Sequence, residues 1–384
     1  MVNTAIENEV ILPKSTPSIL SVEDENGNFR RVDRKVISRK IRQMTFYDYY
    51  SWYVESNKKG KVSVQTLIKY ELTGSSIKQI APGMLLVDLE NNRINLQWLL
   101  DKYGENHRKR TWLGFKAKIL QALRYASGDG YIQGVADSGL VMNTVEQHWD
   151  EETKEAVHSQ KLAFSATNFT KVKSFLDFKL DDLLDKEPVY RDESLNITIK
   201  NEMRSVQSEL LIMAIAIHTG MRFSEVLGVT EDSIANDKIS VTKTWDYKRN
   251  TGFMPTKNTS SIRDVAADQT IINLINRYIK FKHKYFPTVD VKLPLILEDQ
   301  FSKIHCDVIN HHLRNVENKL NVDRLSFHKL RHSYASFLIF QGIPEAVIAK
   351  QLGHTDTNML HRVYGHLLDE QAEAGAMKIR GMMG

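Results

Sequence analysis

An almost uninterrupted apolar segment runs from Leu210 to His218 and ends at Thr219-Gly220. Its Ala, Met and Leu content is typical of a helix and not of a strand. The longest strongly apolar run, Leu210 to Ile217, is far too short to span a bilayer. A helix that is apolar on all sides has to be buried. The sequence therefore predicts a core helix that ends at Gly220.

The end of this helix determines where Arg222 lies. Ser224 and Glu225 are suited to the start of the next helix. Arg222 is then at a helix junction, from which its guanidinium can point into a cleft toward an anion. A structural ion pair is the alternative role for an arginine at such a place.

A second polar cluster follows the predicted helix cap at Ser326. His328 and Arg331 are three residues apart, which places them on one face of a helix. One face can thus present both a base and a cation. Such a pair occurs in enzymes of unrelated function, so it does not identify an activity alone.

A third cluster contains a helix with a clear start and end. Gly342 has the character of a C-terminal cap, and Pro344 suits the first turn of the following helix. Gly353 ends that helix and leaves His354 just beyond it. Tyr364 follows ten residues later. A lone tyrosine is usually a core or interface aromatic, so its spacing from the other clusters carries the argument.

The polarity pattern divides the chain into four regions. Residues 1–43 are polar and basic and are interpreted as an arm. Residues 44–136 carry apolar stripes at helical spacing, including Trp112 to Ala126, and predict a helical domain. Residues 137–172 are weakly periodic and are interpreted as a linker. Residues 173–384 form the last region.

The last region combines helical patterns with one short β region. Ile239, Val241 and Thr242 predict a strand, and the stretch 254–264 predicts its partner. Helical patterns occur both before and after this β region. The predicted fold class is mainly α with a small antiparallel β-sheet.

Composition restricts the classes of protein that remain. At 384 residues, the chain is long enough for two domains, and 42% hydrophobic and 26% charged residues are typical of a folded protein. Cys306 is the only cysteine, which excludes an intrachain disulfide and a cysteine metal cluster. The first residues do not form a cationic and apolar signal segment. We expect a cytoplasmic protein.

The net charge of +5 hints at a polyanionic partner, and its distribution is more informative. Residues 30–42 hold seven basic side chains against the single acid Asp33. A phosphate backbone and a solvated tail explain this stretch equally well. The candidate DNA-binding residues are Arg39, Lys40 and Arg42 of this stretch and Lys116, Lys118 and Arg124 on the polar faces of the helix predicted from Trp112 to Ala126. The alternative role of the helix residues is to keep the helix soluble.

Four ordered motifs resemble those of the tyrosine recombinase family, also called the phage integrase family. TGMRFSEVLGV is similar to the motif of the first catalytic arginine, HKLRHSYAS to the His-x-x-Arg motif, KQLGH to the Leu-Gly-His motif and VYGH to the nucleophile motif. PTKNTSSIRDV resembles the family's β-hairpin with its catalytic lysine. The resemblance covers the last region, and implies a catalytic domain there with a C-terminal tail. By position and size, it implies a core-binding domain at 44–136.

The resemblance implies DNA cleavage by Tyr364, which forms a 3′-phosphotyrosine and needs no nucleotide cofactor. Arg222 and Arg331 would hold the non-bridging phosphate oxygens. His328 is the implied base for the tyrosine. Lys257 would donate a proton to the 5′ oxygen. Lys243 and Lys248 precede it in the sequence and are the alternatives for this role.

Further residues have implied supporting roles. His354 would hydrogen-bond the phosphate, and Glu225 would brace the site. His332, Ser261 and Arg263 are also predicted to support it. Asp/Glu clusters suited to a divalent metal are absent from the sequence, and His311-His312 lacks convincing partner ligands. We therefore expect metal-independent chemistry.

Recombination of this type implies a homotetramer on double-stranded DNA sites and a Holliday junction. The protein would integrate or excise a phage or other mobile element, and its candidate accessory partners are an excisionase and a host DNA-bending protein. The tail 367–384 would dock on a neighbour or on its own domain. The alternatives are a Xer-like resolvase, a type IB topoisomerase-like enzyme and a catalytically inactive DNA-binding regulator.

Overall fold

The computed structural model describes residues 40–150, 153, 162–199, 204–256, 259–299, 303–358, 360, 361, 363 and 364, and the backbone of strands at 19–23 and 29–33. The chain folds into two compact units, Met1–Ser159 and Gln160–Gly384. Helices dominate both, and the strands pair antiparallel. The predicted fold class is therefore confirmed.

Three helices of the first unit begin at residues whose side chains cap them. Thr45, Ser63 and Asn92 each accept a hydrogen bond from the backbone N–H three residues later, which satisfies a donor that the helix leaves free. The helices are α1 (Phe46–Asn57), α2 (Val64–Ile80), α3 (Arg93–Gly104) and α4 (Lys109–Gly128), with 3₁₀ turns at Leu86–Leu89 and Val145–His148.

The core of the first unit forms around the apolar face of α4. The stripe predicted from Trp112 to Ala126 is buried and packs with the tyrosines of α1. Tyr49 donates its hydroxyl hydrogen to the carbonyl oxygen of Ala122 at 3.2 Å, so its polar end is satisfied inside the core. This unit therefore has a hydrophobic core of its own.

The N-terminal segment contains a β-hairpin that the sequence analysis did not predict. Strand β1 (Ile19–Glu23) pairs antiparallel with β2 (Phe29–Asp33), with Ile19 opposite Asp33. The Asn-Gly turn signal at 26 and 27 falls between the two strands, outside the described residues.

The stretch 137–172, interpreted from the sequence as a linker, begins with residues that contact the first unit. Gln97 exchanges two hydrogen bonds with the backbone of Val141, each 2.8 Å long. The backbone N–H of Val145 donates to the carbonyl oxygen of His107 at 3.3 Å. The stretch ends inside the first helix of the second unit, which begins at Ala166.

The second unit is built around a helix that is buried on every side. Its helices are α5 (Ala166–Leu184), α6 (Val206–Thr219), α7 (Phe223–Val226), α8 (Gln269–Tyr285), α9 (Cys306–Leu320), α10 (Phe327–Phe340) and α11 (Glu345–Leu352). Every residue of α6 is buried, as its sequence predicts. The helices α5, α8, α9 and α10 pack around α6.

Short strands lie beside this helical core. They are β3 (Arg191–Asp192), β4 (Ile197–Thr198), β5 (Lys238–Val241), β6 (Lys243–Trp245), β7 (Phe253–Pro255) and β8 (Arg263–Ala266). The predicted strand near Ile239 is β5. Its partner is β8, at the end of the predicted stretch 254–264, whereas β7 pairs with β6. Among the described residues, no helix is long and apolar enough to cross a membrane.

Candidate active site

The end of α6 places Arg222 at the surface of the core. Gly220 ends the helix with φ +65°, and a Cβ there would lie 2.5 Å from Cδ1 of Tyr334, so a side chain at this position is excluded on two grounds. Arg222 then caps α7, and its side chain is 30% exposed. The predicted helix junction is present.

Glu225 joins two arginines inside this part of the fold. Its carboxylate accepts a hydrogen bond from Nη1 of Arg222 at 2.6 Å and one from the Arg222 backbone N–H at 2.9 Å. Nη2 of Arg263 donates to the same carboxylate at 3.0 Å. Burial alone would raise the pKa of Glu225, but the two guanidinium groups bring it below its ordinary value.

Arg263 links β8 to the end of α11. Its Nε donates to the carbonyl oxygen of Gln351 at 2.8 Å, and its Nη1 to that of Ser261 at 3.0 Å. Gly353 allows this packing, because a Cβ there would lie 2.9 Å from Nη1 of Arg263. Gln351, to which the sequence analysis gave no role, bonds through its side chain to the backbone of Ala266.

Arg331 on α10 is 5% exposed and connects three segments of the unit. Its Nη1 donates to the carbonyl oxygen of Gly220 at 2.9 Å, and its Nη2 to that of Leu352 at 2.5 Å. Nη2 also lies 2.9 Å from Nε2 of His354. Burial and the neighbouring Arg222 lower the pKa of Arg331 to about 9, which leaves the guanidinium charged at neutral pH.

His354 follows the left-handed cap at Gly353, as predicted. Burial, followed by the charges of Arg331, Arg222 and Arg263, lowers its pKa to about 4, so the ring is neutral at pH 7. Among the described residues, Nδ1 of His354 has no hydrogen-bond partner although it is buried. A buried acceptor or donor without a partner is costly, and a ligand at this point would satisfy it.

Tyr364 is 5% exposed, and its hydroxyl contacts α10. The hydroxyl oxygen lies 2.5 Å from Nδ1 of His332. Burial raises the pKa of Tyr364 well above its ordinary value, an effect that Arg331 only partly offsets. The sequence analysis had placed His332 among the supporting residues without assigning this contact.

His328, the base implied by the family resemblance, is one turn before His332 on the same helix and is exposed. Its ring packs edge-on against the ring of His332, with 5.2 Å between centroids. Desolvation, with the charges of Arg331 and Arg222, lowers the pKa of His328. Among the described residues, no hydrogen bond joins His328 to Tyr364.

Lys257 lies outside the described residues. Strand β7 ends two residues before it, at Pro255, opposite Lys243 on β6. Nζ of Lys243 lies 4.3 Å from the centroid of the Phe253 ring. The choice of Lys257 over Lys243 and Lys248 as the proton donor stays a prediction.

The candidate DNA-binding residues belong to the first unit and differ in their surroundings. Arg42 is paired with Glu90 and Arg124 with Asp137, each at 2.5 Å. Lys40 is exposed, and Arg39 is outside the described residues. Nζ of Lys116 lies 5.3 Å from the Trp112 ring, and Nζ of Lys118 lies 5.8 Å from the Tyr70 ring.

The described site of the second unit carries an excess of positive charge. Three guanidinium groups, those of Arg222, Arg263 and Arg331, are arranged around the buried carboxylate of Glu225. Such an excess in a partly buried site favours an anionic ligand, and the guanidinium fork matches the oxygens of a phosphate. A tyrosine hydroxyl beside it supplies a nucleophile.

Comparison with known proteins gives relatives for most of the chain. Residues 192–371 match the model of the phage integrase family. The integrase of Staphylococcus phage L54a is 23% identical over 350 residues, which cover 87% of this chain and 92% of that protein.

Two solved structures share the fold. The Tn1549 transposon integrase in complex with transposon right end DNA has a TM-score of 0.63 at 17% identity, covering 88% of this chain and all 100% of the other. The lambda integrase tetramer bound to a Holliday junction has a TM-score of 0.50 at 15% identity, covering 90% of this chain and 92% of the other.

Proposed function

We propose, from the premise that residues 192–371 form a phage integrase family domain, that this chain is a site-specific recombinase that cleaves and rejoins DNA through Tyr364. One observation carries the proposal. The buried hydroxyl of Tyr364 lies against His332 of α10, in a site with three guanidinium groups and the buried carboxylate of Glu225. This arrangement is suited to attack on a phosphodiester.

In the proposed reaction, the oxygen of Tyr364 attacks the scissile phosphorus. The new bond is a 3′-phosphotyrosine, and the bond from phosphorus to the 5′ oxygen breaks. Arg222 and Arg331 stabilise the charge that develops on the non-bridging oxygens. The hydrogen bonds of Arg331 to two carbonyl oxygens hold it in place before DNA binds. The covalent bond conserves the energy needed for rejoining.

Two further groups are needed, one to protonate the leaving 5′ oxygen and one to hydrogen-bond the phosphate. Lys257 is proposed to protonate the departing 5′ oxygen, from the family resemblance alone. His354 is proposed to hydrogen-bond the phosphate through its buried Nδ1. Guanidinium groups supply charge stabilisation without a metal ion, and we propose that the reaction proceeds in EDTA.

The partners follow from the chemistry of strand exchange. The substrate is double-stranded DNA with recombination sites, and four protomers are needed to exchange strands between two duplexes. The assembly of lambda integrase as a tetramer on a Holliday junction supports this stoichiometry. We propose a phage or other mobile element as the source of the sites, and the cytoplasm as the compartment. The likeness to a phage integrase and a transposon integrase supports this role.

The proposal is tested with a nicked suicide duplex that carries the DNA ends of the element encoding the chain. Wild-type protein is expected to form a denaturation-resistant protein–DNA adduct, with or without EDTA. Tyr364→Phe is expected to bind the duplex but form none, whereas Tyr285→Phe in the same unit serves as the matched control and forms it normally. Tight binding without an adduct from wild type would instead support a DNA-binding regulator.

A further inference from the structure

The hydroxyl of Tyr364 has a hydrogen-bond partner supplied by α10. Nδ1 of His332 lies 2.5 Å from the phenolic oxygen, within hydrogen-bond distance. The ring centroids are 5.8 Å apart and inclined at 53°. His332 immediately follows Arg331 along the helix, so one segment presents both a phosphate-binding cation and the partner of the nucleophile.

Both partners of this hydrogen bond are neutral in the DNA-free protein. Burial raises the pKa of Tyr364, so its hydroxyl keeps its proton in the DNA-free protein. Burial and the neighbouring His328, Arg331 and Lys329 lower the pKa of His332 to about 4, so its ring is neutral at pH 7. With the ring proton on Nε2, the phenol donates and Nδ1 accepts, which is the arrangement that transfer of the phenolic proton requires.

We propose that His332 accepts the phenolic proton of Tyr364 during the attack on DNA, an inference that rests on the proposed function. The proton moves from the tyrosine oxygen to Nδ1 while the oxygen–phosphorus bond forms and the bond to the 5′ oxygen breaks. The 5′ oxygen receives a proton from a separate acid. In the rejoining step, His332 returns its proton to the tyrosine oxygen.

His332 is better placed for this role than His328. A general base has to lie within hydrogen-bond reach of the proton it removes, and His332 meets that condition before DNA binds. His328 is exposed and contacts the ring of His332 edge-on. Among the described residues, His328 therefore contacts the hydrogen-bond partner of Tyr364 and not the Tyr364 hydroxyl itself.

The charges around His332 make its affinity for a proton depend on whether DNA is bound. The titratable groups that influence it are His328, Arg331 and Lys329 of its own helix and Tyr364 from the segment after α11. A phosphodiester bound to Arg331 offsets part of this positive charge, which raises the affinity of His332 for a proton. The tyrosine is then activated when DNA occupies the site and stays neutral when the site is empty.

The test measures the rate of adduct formation against pH for His332→Asn. The carboxamide oxygen of Asn can accept the hydrogen bond of Tyr364 but cannot take up its proton. A second suicide duplex carries sulfur in place of the scissile 5′ oxygen, because a sulfur leaving group needs no proton. His328→Asn, one turn away, tests the rival base in parallel.

We expect His332→Asn to slow adduct formation at least about 100-fold on both duplexes, the usual size of a general-base effect. Its rate should rise about tenfold per pH unit where the wild-type rate is flat, because hydroxide replaces the missing base. His328→Asn should keep the wild-type pH profile. Added imidazole should restore part of the rate of His332→Ala.

A rate for His332→Asn within about tenfold of wild type, with an unchanged pH profile, would reject the role of His332 and leave the recombinase proposal intact. A hydroxide-dependent rate in His328→Asn alone would reassign the base to His328. Absence of any adduct from wild type would reject the recombinase proposal itself, and this inference with it. Thermal unfolding and DNA binding of each variant exclude misfolding as the cause.

Discussion

At the scale of single residues, Glu225 is the group on which the charged cluster depends. Its side chain is 1% exposed and neutralises part of the charge of Arg222 and Arg263. A buried ion pair adds little net stability compared with apolar packing, but the loss of one partner leaves the other buried and unpaired. The carboxylate therefore holds Arg222 in place and also makes the burial of Arg263 possible.

We expect Glu225→Gln to lower the free energy of unfolding by roughly 3 kcal/mol, because the two guanidinium groups lose their counter-charge. Adduct formation should fall as well, since Arg222 loses the group that orients it. The control is Glu193→Gln, which removes an exposed partner of Arg191 at 3.4 Å and should change stability little. Urea denaturation of both variants measures the difference. An equal loss of stability in the two variants would show that the burial of Glu225 does not increase its contribution to the free energy of unfolding.

At the scale of elements, α6 is held by a charged network at its C-terminal end. His218 is 4% exposed, with Nε2 2.7 Å from Oδ1 of Asp177 on α5 and Nδ1 2.9 Å from Oδ2 of Asp268. Asp268 is also the N-cap of α8. Three helices are thus joined four residues before Arg222. The sequence analysis did not anticipate this network.

The network predicts a pH-dependent contribution to stability. Burial alone would lower the pKa of His218, but Asp177 and Asp268 raise it above its ordinary value. The protonated ring is therefore favoured in the folded protein. Its contribution is complete below the unfolded-state pKa of about 6.5 and is lost as the pH rises through the folded-state pKa.

We therefore expect the stability difference between wild type and His218→Gln to be largest near pH 5 to 6 and to shrink above pH 7. Urea denaturation at a series of pH values measures it, with His311→Gln as the control for loss of an exposed histidine. A difference that grows with pH would mean that His218 is buried in its neutral form.

At the scale of the whole molecule, the chain has two units, each with its own hydrophobic core. The proposed catalytic residues that the structure describes all belong to the second unit. The described DNA-binding candidates, in contrast, belong to the first. We infer that the second unit performs the chemistry and that the first adds affinity for the DNA backbone.

This division predicts that residues 160–384 fold alone and bind DNA with a weaker dependence on salt than the full chain. Each phosphate contact contributes about 0.9 to the slope of log K against log salt concentration, so a difference of at least about two is expected. Binding titrations of both proteins at several salt concentrations, with circular dichroism of the fragment, measure it. Equal slopes would show that the first unit makes no phosphate contacts.

Local sequence signals were sufficient for the main helix and its end at Gly220. They also supplied the proposed reactive residues, which stay a prediction. An apolar run, a glycine cap and a short motif depend on neighbours within a few turns, so they can be recognised from the sequence alone. The same signals predicted the helical stripe from Trp112 to Ala126. They also placed a strand near Ile239, although its pairing with β8 depended on contacts across 22 residues or more.

Only the tertiary structure decided which groups meet across long separations. His328 and His332 are one turn apart on the same helix. The hydroxyl of Tyr364, which is 32 residues from His332 in the sequence, has His332 as its hydrogen-bond partner. Glu225 meets Arg263 across 38 residues, and Arg42 meets Glu90 across 48. The sequence determines which chemical groups are present and their local helical phase. Their partners depend on how the folded chain buries its apolar faces, because burial brings distant charges together and sets their protonation states.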